Sequence, residues 1–281
     1  MSLTKLTDLK GKKETEVVVP IGTITIEELE TQIAEAKTGK AKVDKKYVWR
    51  WKKRYNSIGM YVYLPSITSG STRLENKNTI SISGKESYAM KFGASSNANF
   101  KGVINSGTIE LRKNPDGTDK ADLSAGIAVM DDATVTSKVN GSTGKVKNTG
   151  NINLKDNIED SIGMYLRILG NNDIENTSTG IITVSSTGNG NTGMRVDIGT
   201  ISLGAGNPVA KNSGKINVSG ENSTGIYAVG EDSSLGILGQ ITVNNNGEIN
   251  LGSSLDLNKA KTGIYGDKAV IINNNRDILG D

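Results

Sequence analysis

Three adjacent acidic pairs, Asp131-Asp132, Glu159-Asp160 and Glu231-Asp232, are the side chains of this 281-residue chain best suited to covalent chemistry. Paired carboxylates cleave glycosidic bonds when one acts as general acid and the other as base or nucleophile. All three pairs border a recurrent Gly-Ile-Tyr-like run or fall in a corner segment, where adjacent acids serve the bend and face water. The rest of the catalytic repertoire is thin. With no His and no Cys, the chain has no Ser-His-Asp triad, thiolate nucleophile, imidazole metal ligand, Cys zinc site or disulfide. Gly188-Asn189-Gly190-Asn191 only faintly resembles a calcium-binding nonapeptide. The expectation is a protein that is not an enzyme and uses no cofactor or metal.

Binding chemistry concentrates between Lys45 and Tyr55, which holds both tryptophans in a dense positive run. Tyr47, Trp49, Arg50, Trp51 and Lys52 are the candidate ligand-binding residues, because aromatic faces among cations stack on sugar rings and attract anionic groups. A structural reading stands beside this one. Alternating Tyr47, Trp49 and Trp51 would form one face of a leading strand, with Arg50 and Lys52 turned to water.

The element that must position these residues is a repeat. Asn-x-Gly-x-Ile phrases begin at Asn105, Asn148, Asn212 and Asn245, with looser versions at Asn78–Ile82 and Asn176–Val184. Each is answered by a phrase such as Ser161-Ile162-Gly163-Met164-Tyr165 or Ser223-Thr224-Gly225-Ile226-Tyr227. The answering glycine, replaced once by Ala89, falls at 59, 89, 126, 163, 193, 225 and 263. A repeating period of this size signals a solenoid or array. Within units the apolar residues alternate, as in Ile109-Glu110-Leu111 and Ile216-Asn217-Val218, which is the mark of half-buried strands and not of helices.

Three short strands fit in each unit: the Gly-Ile-Tyr run, a middle run such as Gly102-Val103-Ile104 or Gln240–Val243, and the Gly-x-Ile-x-Val/Leu run. One unit per coil predicts an all-β fold, a right-handed parallel β-helix of about seven coils over residues 57–281. Coils spaced roughly 4.8 Å apart make a rod on the order of 35 Å long. Variation in unit length then belongs to corner loops, such as Arg112 to Asp122 and Gly252 to Ala260, where solenoids place recognition. The repeated Asn either stacks into an amide ladder or serves as a turn residue.

Residues 1–56 form a separate leader. Thr25-Ile26-Glu27-Glu28 is a capping box, and Ile26, Leu29, Ile33 and Ala36 have helical spacing up to Gly39. The expected short helix caps the first coil, lies near a membrane or docks a partner, or belongs to a flexible leader. At the other end, Asn273-Asn274-Asn275 reads as the start of a further repeat, which suggests a fragment of a longer protein.

Composition agrees with a rod: 34 Gly, only 2 Phe and 2 Trp, and 35% hydrophobic residues suit a narrow interior filled by Ile, Val and Leu. A net charge of +3 gives no case for nucleic acid. No stretch is long and apolar enough for a membrane helix, so direct membrane insertion is not expected.

The Asn-x-Gly-x-Ile-x-Val/Leu and Ser-x-Gly-Ile-Tyr phrases across roughly 57–279, behind a charged leader, resemble the passenger regions of type V autotransporter adhesins, particularly fusobacterial ones. That resemblance implies outward transport by a C-terminal translocator barrel of the parent protein. It also implies display at the outer membrane's extracellular face, and attachment to glycan or protein receptors on host cells or other bacteria. Alternatives are a carbohydrate-active β-helix of the lyase or tailspike kind, and a passive spacer.

Overall fold

The computed structural model describes residues 23–24, 48–49, 58–64, 72–94, 100–114, 120–131, 145–155, 157–167, 173–185, 187–198, 207–230, 240–252 and 260–280. From Ile58 onward the chain winds into a parallel β-solenoid whose three faces are each a seven-stranded sheet. The first face carries the Gly-Ile-Tyr runs from Ile58–Leu64 to Thr262–Asp267, the second the middle runs from Thr72–Asn76 to Val270–Asn274, and the third the Gly-x-Ile runs from Thr79–Ile82 to Ile278–Gly280. Each strand pairs in parallel only with its counterparts one coil before and after, as Asn151–Leu154 does with Thr108–Leu111 and Ile181–Val184. No helix occurs among the described residues, and the capping-box segment Thr25 to Gly39 lies outside them.

Strand alternation becomes columns of core side chains. Asn151–Leu154 runs exposed, buried, half-buried, buried, and its Ile152 is stacked in register between Ile109 and Ile182. The third-face column of Ile80, Ile109, Ile152, Ile182, Ile216 and Ile249 is 0–6% exposed. Each such side chain contributes roughly 1.5–3 kcal/mol by leaving water. The first-face column differs from the expected Ile, Val and Leu filling: it runs Met60, Met90, Ile127, Met164, Met194, Ile226. Unbranched thioethers fill the irregular space beside the glycine column.

The glycines are required for a reason other than the turn conformation the sequence suggests. Among the described glycines only Gly102 and Gly190 have positive φ. A Cβ on Gly126 would lie 2.6 Å from the Gly163 carbonyl oxygen and 3.1 Å from Ile152 Cγ2. The close approach of successive coils therefore excludes it. Left-handed backbone occurs instead at the corners before five of the seven first-face strands, where Glu86, Leu123, Asp160, Gly190 and Asn222 have φ of 48–67°, and at Lys268 after the last of them. For Leu123 this conformation costs about 1–2 kcal/mol.

Two polar columns run through the interior. Asn76, Asn105, Asn148, Asn176, Asn212 and Asn245 are 0–2% exposed. Each donates its Nδ2 to the Oδ1 of the next, ending on Asn274, at 2.7, 2.8, 2.9, 2.9, 2.9 and 2.8 Å. This is the amide ladder; in the first coil its member is Asn76, two residues before the Asn78 that the sequence pattern picks. The second column lies at the next corner, where backbone N–H groups of Ser87 and Ser124 donate to the hydroxyls of Ser124 and Ser161. Ser161 N–H donates to Asn191 Oδ1, and Asn191 N–H to the Ser223 hydroxyl.

The corner between the second and third faces is nearly constant, as Ser106-Gly107 and Thr149-Gly150 show. Length variation falls on the other two corners, including the segment between Asp131 and Lys145. The seventh coil has a strand in all three sheets. Asn274 and Ile278 stand in register with Asn245 and Ile249, so the Asn273-Asn274-Asn275 run carries the seventh copy of the Asn phrase.

Candidate ligand-binding surfaces

Of the three acidic pairs, only Asp131 and Glu159-Asp160 fall on described residues, and their backbones lie toward opposite ends of the first face. Asp131 ends the first-face strand Ala125–Asp131, whereas Glu159-Asp160 precedes the next one, Ile162–Arg167. Opposite ends of a seven-residue strand are roughly 20 Å apart, well beyond the spacing of two carboxylates sharing one glycosidic bond. Glu159 lies 3.8 Å from the Lys120 ammonium, and Asp160 takes the left-handed corner conformation. Asp132 and Glu231-Asp232 lie outside the described residues. Among the described residues no three carboxylates gather into a metal-binding group.

In the leader, the backbone of Val48–Trp49 pairs in parallel with Thr23–Ile24. Tyr47, Arg50, Trp51 and Lys52 lie outside the described residues. No described helix is long and apolar enough to cross a membrane.

Sequence reasoning missed a column on the outer side of the first face, where coils four to seven place Tyr165, Arg195, Tyr227 and Tyr265 in one register. The Arg195 guanidinium lies 5.7 Å from the Tyr165 ring centroid and 5.0 Å from that of Tyr227. Tyr227 and Tyr265 stack at 5.0 Å with 18° between planes. Tyr165 donates its hydroxyl to Asp197 at 2.8 Å, and Arg195 Nε donates to the same carboxylate at 3.0 Å. Burial first and Asp197 second push the Tyr165 phenol well above its ordinary range. Burial works against the Arg195 charge, but Asp197 outweighs it and holds the guanidinium protonated. Arg195 thus lies between the Tyr165 and Tyr227 rings, and Tyr227 is covered on its other face by Tyr265. The surface offers ring edges and hydroxyls to a ligand, and the aromatic faces serve the rod itself. Aligning the units on their glycines and reading two residues on would have exposed this column.

The second face carries an ionic counterpart. Glu175 lies 3.5 Å from Lys147 and 3.2 Å from Lys211 on the flanking coils. Burial tends to raise the Glu175 pKa, but the hydrogen bond and charge of Lys211, with Lys147 behind them, hold it below the usual carboxylate value. A depressed folded-state value means that the stabilisation is present above the unfolded pKa of about 4.3 and is lost as pH falls through the folded value. Glu175→Gln is therefore expected to lower Tm slightly at neutral pH and to flatten its fall between about pH 5 and pH 3, as thermal melts across that range would report.

A groove of about 550 Å³ crosses the second corner of the later coils, lined by Thr179, Lys215, Asn246, Glu248, Arg276 and Asp277 among others. Lys215 and Glu248 pair within it at 3.1 Å, leaving hydroxyls, amides and mixed charge as its contact chemistry.

Residues 13–141 match the family model for the BigA third pectate lyase-like domain. The match spans much of the leader, the first two coils and the first strand of the third, and runs across the boundary at residue 57. It agrees with the observed parallel β-solenoid. No curated protein and no solved structure matches the chain.

Proposed function

We propose that this chain is a surface-displayed adhesive stalk, a β-solenoid passenger segment that holds corner loops away from a bacterial envelope for attachment to host cells or other bacteria. The observation that carries this reading is the division of the molecule into a constant scaffold and variable corners. Inter-coil ladders of Asn, Ser, ion pairs and Tyr–Arg contacts occupy the columns. Chain-length variation is confined to two corners of each coil. Many weak loop contacts on one rigid rod add through multivalency. The translocator barrel expected of an autotransporter parent would supply transport outward.

The test is binding of the purified chain to a glycan array, cultured epithelial cells and other bacteria, beside a Trp49→Ala, Trp51→Ala double variant of matching circular dichroism. Binding lost in the variant assigns the site to the leader, and binding retained assigns it to the corner loops. Binding to nothing sinks adhesion in favour of a spacer.

A second reading, a carbohydrate-active β-helix, is favoured by the pectate lyase-like description of the matched family and by the corner groove. Incubation with polygalacturonate and other acidic polysaccharides, followed by assay for new reducing ends, decides it.

A further inference from the structure

The nearly constant corner between the second and third faces departs from its pattern at two places, and both border the groove of about 550 Å³. In coils two, three, five and six the ladder asparagine is followed two residues later by glycine, at Gly107, Gly150, Gly214 and Gly247. Coil four inserts Ser178-Thr179 ahead of its Gly180, and coil seven carries Arg276 at the glycine position. The bare backbone of Gly214 and Gly247 is therefore flanked by two raised walls, three coil spacings or roughly 14 Å apart.

The first wall is fixed in place before any ligand arrives. Thr179 donates its hydroxyl to the Thr149 carbonyl at 2.9 Å, Thr177 donates to that of Asn148 at 3.1 Å, and the Gly180 N–H closes the turn on the Thr177 carbonyl at 2.8 Å. Between the walls stand donors and acceptors together. Asn246 accepts from Asn275 at 2.8 Å, but Ser213 occupies its register one coil earlier, so among the described residues the Asn246 Nδ2 has no acceptor. Glu248 accepts from Asn250 at 2.6 Å and from Lys215 at 3.1 Å, and these two bonds hold its carboxyl below the usual carboxylate value. Two cations, Lys215 and Arg276, balance two anions, Glu248 and Asp277. Beside them Ile181 is 37% exposed on the outer side of the third face.

We propose that this groove binds a neutral oligosaccharide, with one sugar ring against Ile181 and sugar hydroxyls meeting Ser178, Thr179, Asn246, Glu248 and Arg276. Each sugar hydroxyl both donates and accepts, and the groove supplies both senses: hydroxyls, an amide, a carboxylate and a guanidinium. Balanced charge gives an ionic ligand no net attraction. The apolar face of a sugar ring suits the one exposed aliphatic side chain named in the groove, as in mixed sites where a few polar groups fix orientation. A wall already held by hydrogen bonds loses little freedom on binding. The site rests on the adhesive reading and supplies it with a place of attachment.

Calorimetric titration of the purified chain tests this, with lacto-N-tetraose as a host-type neutral glycan, chitotetraose as a bacterial-wall type, and sialyllactose and trigalacturonate as acidic counterparts. One neutral sugar is expected to bind with a Kd of about 0.1–1 mM and at least about tenfold tighter than either acid. Its affinity should hold steady between about 0.02 and 0.5 M salt. Deleting Ser178-Thr179 restores the Asn-Thr-Gly corner of coil three, and Arg276→Gly restores the Asn-Asn-Gly corner of coil six, so both variants should keep the wild-type circular dichroism. Each should weaken binding at least about tenfold, while Asn153→Ala, on the outer side of the third coil, leaves it unchanged. If either wall variant fails to fold, Asn246→Ala decides, with the same loss expected. Binding of neither neutral sugar, preference for the acids with steep salt dependence, or affinity indifferent to the wall variants would each overturn the assignment. Attachment to cells without sugar binding sinks the groove and keeps adhesion, whereas sugar binding without attachment to cells or bacteria keeps the groove and sinks adhesion.

Discussion

Replacing Asn176 by alanine is expected to destabilise the solenoid by about 3 kcal/mol or more, against under about 1 kcal/mol for Asn274→Ala at the ladder's end. Asn176 accepts from Asn148 and donates to Asn212, both at 2.9 Å, and it also reaches the Gly180 and Lys215 carbonyls at 3.1 and 3.3 Å. Alanine would leave Asn212 Oδ1 and those carbonyls without this partner, and Asn148 Nδ2 with only the Ile181 carbonyl at 3.4 Å. The neighbouring glycines pack tightly against this amide: a Cβ on Gly214 would lie 2.9 Å from Asn176 Nδ2. The deleted volume therefore opens a polar void in a rigid wall. At about 2–4 °C per kcal/mol for a domain of this size, Tm should fall by roughly 10 °C. Because coils touch only their neighbours, calorimetry should show the transition broaden as the two halves part at the fourth coil.

Gly163→Val should have a still larger effect, because it pushes two coils apart. A Cβ there would sit 2.5 Å from the Gly193 carbonyl oxygen and 3.0 Å from Ile182 Cγ2. The oxygen belongs to the next coil's backbone and cannot swing aside as a side chain would. Overpacking of this kind costs about 3 kcal/mol or more, and valine adds two methyl groups beyond the clashing atom. Gly163→Ala is expected to cost less, since Ala89 occupies the same column in the second coil and is fully buried. Comparing urea midpoints of the wild-type, Ala and Val proteins checks the order. Equal midpoints for all three would mean that the coils slide to accommodate the group.

Most of the fold was legible because a solenoid writes its geometry once per turn. The alternation in Ile109-Glu110-Leu111 and its equivalents gives the third face directly, and the spacing of the glycines from Gly59 to Gly263 gives the coil count. Asn105, Asn148, Asn212 and Asn245 were readable as a column because each stands two residues before its glycine, with Asn176, four before Gly180, a looser copy. Asn76 was not, because Asn78 two residues later mimics the phrase. The reason for the glycines was hidden, since a close contact between coils leaves no local trace and glycine suggests a turn by default. The surface was harder still. Tyr165, Arg195 and Tyr227 meet only because their coils stack, and no spacing rule within one unit links a tyrosine to an arginine thirty residues on. Asp131 and Glu159-Asp160 look equivalent in sequence, yet Asp131 closes one first-face strand and Glu159-Asp160 precedes the next, which puts them toward opposite ends of that face.

The serial stacking of coils, each held only by the coils before and after it, also determines how the rod answers tension. A pull applied between its ends loads the terminal rung before any other. Rungs then peel in order, each paying out roughly 100 Å of slack as some thirty residues straighten. A tether built this way absorbs a shock in small instalments and yields length before its anchorage fails.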